Sequence, residues 1–462
     1  MLNLKLINAV EACNGKLVVP EGKTVEEYVD KSPEGVVLDS QIVKPGFIFV
    51  ACKGERTDGH KYIPSAFKNG ALAVICEDIP EVVEGPCIQV NDSLKALVAL
   101  ADYYRKTLNI KTVGIVGSVG KTSTKEFVAS VLANKFKVLK GEGNHNNLLG
   151  LSLEILRITS DIEMAVLEMG ISEFGEMTRL SKLVRPDVIV FTNVGECHLE
   201  SLGDRDGVLK AKSECFEYMN KDGYVILNGE DDKLATLDMI NGKKPYRFGV
   251  EGQDAFAKNV KADGTKGSFA TICVKDQSFE VYVPLPGKHM VMNAVAATIA
   301  GTIYGMDVDA IKEGIENTGS VAGRSNIIKT DKYTIIDDCY NASKISMKAA
   351  IDLLKTLQGR KVAILGDMFE LGEKSEEIHR EVGEYAVSNG IEAIYMVGDN
   401  SKAMYEAAMS NLLCEMQEIC YFKTKEELME RLPSLLCEGD SILIKASHGM
   451  KFDALVNAIK TM

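Results

Sequence analysis

Residues 114–126, GIVGSVGKTSTKE, limit what this chain can fold into more than any other stretch. An apolar run from Thr112 to Val116 leads into glycines, and KTSTKEFVASVLANKF then reads as a helix. The order is strand, glycine loop, helix. Glycine lacks the Cβ that would keep backbone N–H groups from closing around phosphate oxygens. The start of the helix adds partial positive charge. Lys121 is placed to reach outer phosphates, and the Thr122 hydroxyl to ligate Mg²⁺. Gly117, Ser118, Gly120 and Ser123 complete the cradle. The spacing is not the strict G-x-x-x-x-G-K-[ST]. Gly114 lies one residue early, Ile115 holds the strict position, and the pattern is G-x-x-G-x-x-G-K-T. A tight turn with a chance lysine is the bland alternative. Strand, glycines, lysine and threonine occur together, which favours a nucleoside triphosphate.

A chain of 462 residues exceeds one ordinary core, so two or three domains are expected. At 46% apolar and 26% charged residues the composition is that of a globular protein. No window reaches 18 uninterrupted apolar residues, so no membrane span is expected. The start, MLNLKLINAVEACNGKL, carries acidic and amide residues where a signal peptide needs an apolar stretch. Eleven cysteines form no C-x-x-C pair, and Cys76, Cys273 and Cys339 lie in apolar runs. Buried free thiols in a cytoplasmic protein are the simplest reading. The net charge of −13 argues against a nucleic-acid partner. An acidic small molecule stays open, since it needs only local positive charge.

Three segments are legible. Residues 1–109 hold short strand-like runs (FIFVACKG, ALAVICED) and end in the helical pattern SLKALVALADYYRKTL. Residues 110–321 alternate strands with helices: KTVGIVG, EMAVLEMG, DVIVFTNVG, GYVILNGED. That alternation implies a mostly parallel sheet covered by helices, with an antiparallel hairpin expected at 265–286. Residues 322–462 repeat the alternation in YTIIDDCYN, KVAILGDM, AIYMVGD and SILIKAS. The expected fold class is therefore α/β: a small first domain, a central phosphate-loop domain and a C-terminal Rossmann-like domain.

In such sheets ligands bind beyond the carboxyl ends of strands. Glu168 ends EMAVLEMG, where a Mg²⁺ ligand would stand, although a lone Glu there is more often a helix cap. His198 follows DVIVFTNVG, with a surface histidine equally compatible with the spacing. Lys210 and Lys212 share a helical segment and by default are solvated. GNHNNLLG, 143–150, reads as an amide-rich loop between two helical segments that binds substrate or caps the next helix.

Taken in order, GIVGSVGKTSTKE, GNHNNLLG, LEMGISEFGEM, TNVGECHLESLG and VLKAKSE resemble the Mur ligases, ATP-dependent amino-acid and peptide ligases of peptidoglycan synthesis. LGDMFELGEKSEEIHREVG, DDCYNASKISMKAAI and the N-terminal LDSQIVKPGFIFVACKGERTDGH narrow the resemblance. They are similar to the branch that adds D-Ala-D-Ala to UDP-N-acetylmuramoyl-tripeptide. The resemblance implies ATP and Mg²⁺, with Lys121 and Thr122 on phosphates and metal. Glu168 and His198 would be metal ligands, and Lys212 a carbamylated lysine bridging to metal. It further implies Asn293 on adenine, Arg324 on phosphate and Asp338 on ribose. Asp39, Ser40 and Lys53 would hold the UDP carrier. Asn144 and Asn147 would face the peptide acceptor side, and Asn341, Ser346 and His448 the dipeptide. A monomer acting on these small molecules, with closure of the third domain, is expected.

Three positions depart from the family's habit. Gln41 stands for an Arg, Ser343-Lys344 for Asn-Pro, and Lys445-Ala446-Ser447-His448 for a KGSR-like segment. Two other readings remain at this level. One is a related amide ligase with another acceptor, like folylpolyglutamate synthase; the other is a nucleotide-binding module without catalysis.

Overall fold

The computed structural model describes residues 1, 4–54, 57–412 and 417–462. Three sheets organise them, each at the centre of an α/β domain. The first contains β1 (Lys16–Val18), β2 (Gly35–Val37), β3 (Phe47–Val50), β4 (Ala73–Cys76) and β5 (Cys87–Gln89). Its order is β1-β5-β4-β3-β2, parallel except where β1 meets β5. The helix Ser93–Thr107 follows and buries Leu97, Leu100, Ala101 and Tyr104, the i, i+3, i+4, i+7 stripe of a packed helix. Its far end reaches the next domain. The Tyr104 hydroxyl donates to Ile158 O at 2.5 Å, and Arg105 Nε to Val184 O at 3.0 Å.

The second sheet contains β6 (Lys111–Val116), β7 (Val138–Lys140), β8 (Met164–Glu168), β9 (Val188–Phe191), β10 (Tyr224–Asn228), β11 (Tyr246–Gly249), β12 (Ala255–Ala262), β13 (Ser268–Val274) and β14 (Gln277–Val283). The order is β14-β13-β12-β11-β10-β9-β6-β8-β7. β7 to β12 run parallel, and β12, β13 and β14 form an antiparallel edge. β6, the strand before the glycine loop, lies between β8 and β9. Both its faces are covered from Thr112 onward, which is why Val113 to Val116 carry no polar side chain. The expected hairpin is β13–β14, turning at Lys275-Asp276.

The third sheet contains β15 (Asn326–Lys329), β16 (Thr334–Asp337), β17 (Lys361–Gly366), β18 (Ala393–Val397), β19 (Glu418–Phe422) and β20 (Ser441–Lys445). Its order is β15-β16-β20-β17-β18-β19, with only β15 antiparallel.

Two expectations need correction. GNHNNLLG does not join two helices: β7 precedes it and the helix Leu148–Leu156 follows. A short edge strand with one buried residue carries too little apolar pattern to be seen in sequence. The ten described cysteines are free and Cys76 and Cys273 are buried, but Cys339 is half-exposed. Its thiol lies 2.9 Å from Asp337 Oδ1. No helix among the described residues is long and apolar enough to cross a membrane.

Close backbone packing gives a test. Gly383 lies in the helix Ser375–Ser388, where a Cβ would stand 2.1 Å from Met404 O of the neighbouring helix. Helix propensity alone favours Ala over Gly by about 1 kcal/mol. The clash with rigid backbone outweighs that gain. Gly383→Ala should destabilise by roughly 1–3 kcal/mol in a urea titration; an equal or higher midpoint would refute the close contact.

Candidate active site

The loop after β6 takes its shape from two glycines. Gly117 has φ of +150°, and a Cβ there would meet Thr192 Oγ1 at 1.9 Å. Gly120 caps the helix Lys121–Ala133 in the left-handed region, φ 83°, ψ 0°. The loop is stitched to the end of β9. Val119 N donates to Asn193 Oδ1 at 2.9 Å, Asn193 Nδ2 donates back to Val119 O at 2.9 Å, and Ser118 N donates to Asn193 O at 3.0 Å. Gly195 N donates to Ser118 Oγ at 2.9 Å. Lys121 Nζ folds over its own loop and donates to Gly117 O at 3.0 Å and Ser118 O at 3.4 Å.

Pairing of β6 with β8 sets Ile115 beside Glu168, which brings the carboxylate under the loop. Glu168 is 6% exposed and caps no helix. Its Oε2 accepts from Thr122 Oγ1 at 2.8 Å and its Oε1 from Asn146 Nδ2 at 2.9 Å. Burial pushes its pKa up, but Lys121, the Asn146 and Thr122 hydrogen bonds and Arg324 outweigh burial and hold it below the usual carboxylate value. Asn146 is a site residue that sequence reasoning missed. It was one of three asparagines in the same loop, and only the register of β8 singles it out. Its neighbours do other work: Asn147 caps the helix Leu148–Leu156 through Gly150 N at 2.9 Å, and Asn144 is exposed.

His198 is half-buried rather than on the surface, in the left-handed region at φ 53°, ψ 33°. Its Nδ1 lies 2.5 Å from Glu370 Oε2 of the third domain. Burial lowers its pKa, Glu370 opposes this, and Lys212 and Lys121 add to the lowering. Glu370 is itself left-handed at φ 62°. It belongs to the GDMFELG segment, whose side-chain role was not legible.

Lys210 and Lys212 separate sharply. Lys210 is exposed, over the ring of Phe174. Lys212, default-assigned to solvent, is 1% exposed. Burial, opposed by Cys197 and assisted by Lys121, brings its pKa down to about 8. Lys121, Glu168, His198 and Lys212 thus lie within electrostatic range of one another.

The remaining candidates spread around this centre. Asn293, buried on the helix Lys288–Ile303, accepts from Thr124 Oγ1 at 3.1 Å and stands beside Gly120. Ser123 follows Thr122 in the first turn of the loop's helix. Arg324 lies flat on the Tyr340 ring, 3.9 Å from its centroid, and acts electrostatically on Glu168. His448 is exposed, with its ring tilted against the same Tyr340, 5.6 Å between centroids. It does not cap the last helix, whose N-cap is Phe452. Asp338 is committed to a buried ion pair with Lys445 Nζ at 2.5 Å and accepts from Ser325 N at 2.9 Å. Asn341 O accepts from the same ammonium at 2.9 Å. Ser346 forms a capping box with Ser343. In the first domain Asp39 caps a short turn through Gln41 N, Ser40 is buried, and Lys53 pairs with Glu77 and Asp78.

A divalent ion suits this oxygen set. Mg²⁺ takes one or two carboxylates and completes its shell with water and phosphate. Among the described residues no three carboxylate, imidazole or thiolate groups converge. Thr122 and Glu168 already meet, which is the part of such a site that a protein must supply.

Sequence models of three domains match consecutive stretches: the Mur ligase family catalytic domain at 33–105, the Mur ligase middle domain at 115–301, and the Mur ligase glutamate ligase domain at 323–448. A UDP-N-acetylmuramoyl-tripeptide–D-alanyl-D-alanine ligase of Bacillus subtilis (strain 168) is 34% identical, over 99% of this chain and 98% of its own length. The crystal structure of MurF from Acinetobacter baumannii superposes with a TM-score of 0.87 at 29% identity, covering 99% of this chain and 98% of that one. MurF ligase from Thermotoga maritima, in complex with ADP, gives 0.79 at 30% identity, covering 93% and 97%. With its three domains matched in order and a relative aligned from end to end, this chain belongs to the Mur ligase family.

Proposed function

We propose that this chain joins D-Ala-D-Ala to the terminal carboxylate of UDP-N-acetylmuramoyl-tripeptide, with ATP converted to ADP and phosphate. One observation carries the reading. Lys121, Thr122, Glu168, His198 and Lys212 gather at the carboxyl ends of β6, β8 and β9, in a chain whose full-length relative is named for that reaction. An acceptor of another kind finds no comparable support.

ATP supplies the phosphoryl group that turns the tripeptide carboxylate into an acyl phosphate, which the dipeptide amine attacks as phosphate leaves. The residues neutralise, orient and exclude water. Lys121 exchanges its loop carbonyls for outer phosphate oxygens. Thr122, Glu168 and His198 would hold Mg²⁺, which offsets phosphate charge. Asn146 keeps the Glu168 carboxylate turned toward Thr122. Asn293, Arg324 and Asp338 would contact the nucleotide. Asp39, Ser40 and Lys53 would hold the UDP carrier, Asn144 and Asn147 the peptide, and Asn341, Ser346 and His448 the dipeptide. Lys53 would trade Glu77 and Asp78 for phosphate. The working unit of this proposal is a monomer. The free thiols suit a cytoplasmic enzyme.

Lys212 is a carbamate in the working enzyme. Its neutral amine attacks the carbon of CO₂, an N–C bond forms, one C=O pair moves onto oxygen, and the amine proton leaves to solvent. Burial favours this, because a pKa near 8 leaves on the order of a quarter of the side chain neutral at pH 7.5. The modification replaces a buried cation with an anion beside the metal site.

Phosphate release should require ATP, the tripeptide carrier and D-Ala-D-Ala together. Equal turnover with glutamate or single D-Ala in place of the dipeptide would sink the acceptor assignment. Lys121→Ala should keep its circular dichroism spectrum and lose at least a hundredfold in turnover, about 2.7 kcal/mol; retention above a tenth refutes its role.

Asn146→Ala should weaken Mg²⁺-ATP binding by about ten- to a hundredfold in calorimetry, with binding of metal-free nucleotide nearly unchanged. Equal losses in both titrations would argue against a role through Glu168.

For the carbamate, ¹³C-bicarbonate should give a new carbonyl resonance that Lys212→Ala lacks. Its intensity should rise between about pH 7 and 9 as the ammonium loses its proton. No resonance, or one that persists in the variant, would end the proposal.

A further inference from the structure

Ser343 and Lys344 stand where the family usually has Asn-Pro, and the fold explains how the swap is tolerated. Ser343 is the N-cap of the helix Lys344–Lys355, its hydroxyl accepting from Ser346 N. Serine and asparagine both serve as N-caps. Lys344 occupies the first helical position, which proline also favours. The helix start is preserved while a cation is added. A cation at a helix N-terminus is locally unfavourable, so this lysine needs compensation.

Compensation comes from two domains. Lys344 Nζ donates to Glu196 Oε1 at 2.7 Å, in the loop after β9 of the central domain. It also lies 3.3 Å from Glu381 Oε2, on the third domain's helix Ser375–Ser388. Lys348, one turn along, reaches the same Glu381 carboxylate at 3.4 Å. Burial works against the Lys344 charge, but Glu196 and Glu381 outweigh it and raise its pKa. The next residue packs into the same seam. A Cβ at Gly195 would stand 2.8 Å from Ile345 Cδ1 and 3.5 Å from Ser118 Cβ of the phosphate loop. Glu370 of the third domain touches His198 of the central domain as well.

We propose that Lys344 is a positioning residue: a latch that holds the third domain closed on the central domain beside the phosphate loop. The Lys344–Glu196 pair is the charged link across the seam, Ile345 on Gly195 is its apolar part, and Glu381 preorients the lysine from its own domain. Lys344 touches no reacting atom. It shifts the balance between open and closed arrangements, so its effect falls on ligands that need both domains at once.

The test uses the full-length chain with Lys344→Ala, Lys344→Pro, Glu196→Lys, and the swap Lys344→Glu with Glu196→Lys and Glu381→Gln, the last change removing the carboxylate that would otherwise repel the new one at 344. Lys344→Pro keeps the helix start and removes the ammonium with its stem, the lost N–H being one that the first helical position leaves without an intrahelical partner. In X-ray scattering without nucleotide, Ala and Pro variants should both show a larger radius of gyration than the parent, and the swap should return toward the parental value. In kinetics, which rest on the ligase reading above, the dipeptide KM should rise about fivefold in the single variants. The carrier KM should stay within a factor of two, and the swap should recover most of the loss. Raising NaCl from about 0.05 to 0.5 M should expand the parent and leave Lys344→Ala unmoved. Unchanged scattering in Lys344→Ala and Lys344→Pro would overturn the latch whatever the kinetics show. So would a swap no better than its single parts. A scattering response with no dipeptide-dependent turnover in the parent would keep the latch and remove the ligase reading instead.

Discussion

Glu168 is almost wholly buried at the end of β8, and it stays charged. A lone carboxylate there would take up a proton, because low dielectric surroundings penalise the ion. Thr122 and Asn146 each donate to one of its oxygens, and Lys121 and Arg324 add positive potential. Three of these groups depend on different parts of the fold. Thr122 needs the left-handed Gly120 that starts its helix, Asn146 needs the loop after β7, and Arg324 needs the third domain in place. The rest of the site can be read as the set of conditions under which this one carboxylate remains an anion.

The same balance explains how an acidic chain can handle anionic substrates. Net charge is −13, yet Lys121, Lys212 and Arg324 act on the same few side chains. Local fields over one Debye length decide binding, and the distant carboxylates are screened. Positive charge is concentrated where three strands end and is diluted elsewhere by surface ion pairs of small energetic weight.

The central strands were legible because β6, β8, β9, β17, β18 and β20 are buried on both faces and read as continuous apolar runs. Edge strands β7, β15 and β19 were not, since half-exposed residues break the pattern. Among site residues, Lys121 and Thr122 were fixed by local spacing. Glu168 and His198 stood at strand ends, where spacing alone left a helix cap and a surface histidine open, and only the order of the surrounding motifs favoured the pair as candidates. Asn146, Asn193 and Glu370 could not be found that way, because what distinguishes them is the partner each meets across strand register or a domain seam. Lys212 shows the same limit in reverse: two lysines on one short helix look alike in sequence, and only packing buries one of them.

Tyr104 and Arg105, at the end of the first domain's long helix, are fastened to backbone carbonyls of the second domain. Ile158 follows the helix Leu148–Leu156 and Val184 ends the helix Glu176–Val184, so both acceptors are tied to elements of the central domain, and the two domains are joined side chain to backbone at this junction. Any ligand that spans both domains would meet the phosphate loop at a separation fixed by that junction. The junction therefore acts as a ruler. If the proposed carrier lies across the two domains, one too short would leave its carboxylate away from the loop and one too long would overshoot, so length would count before any chemical group is inspected.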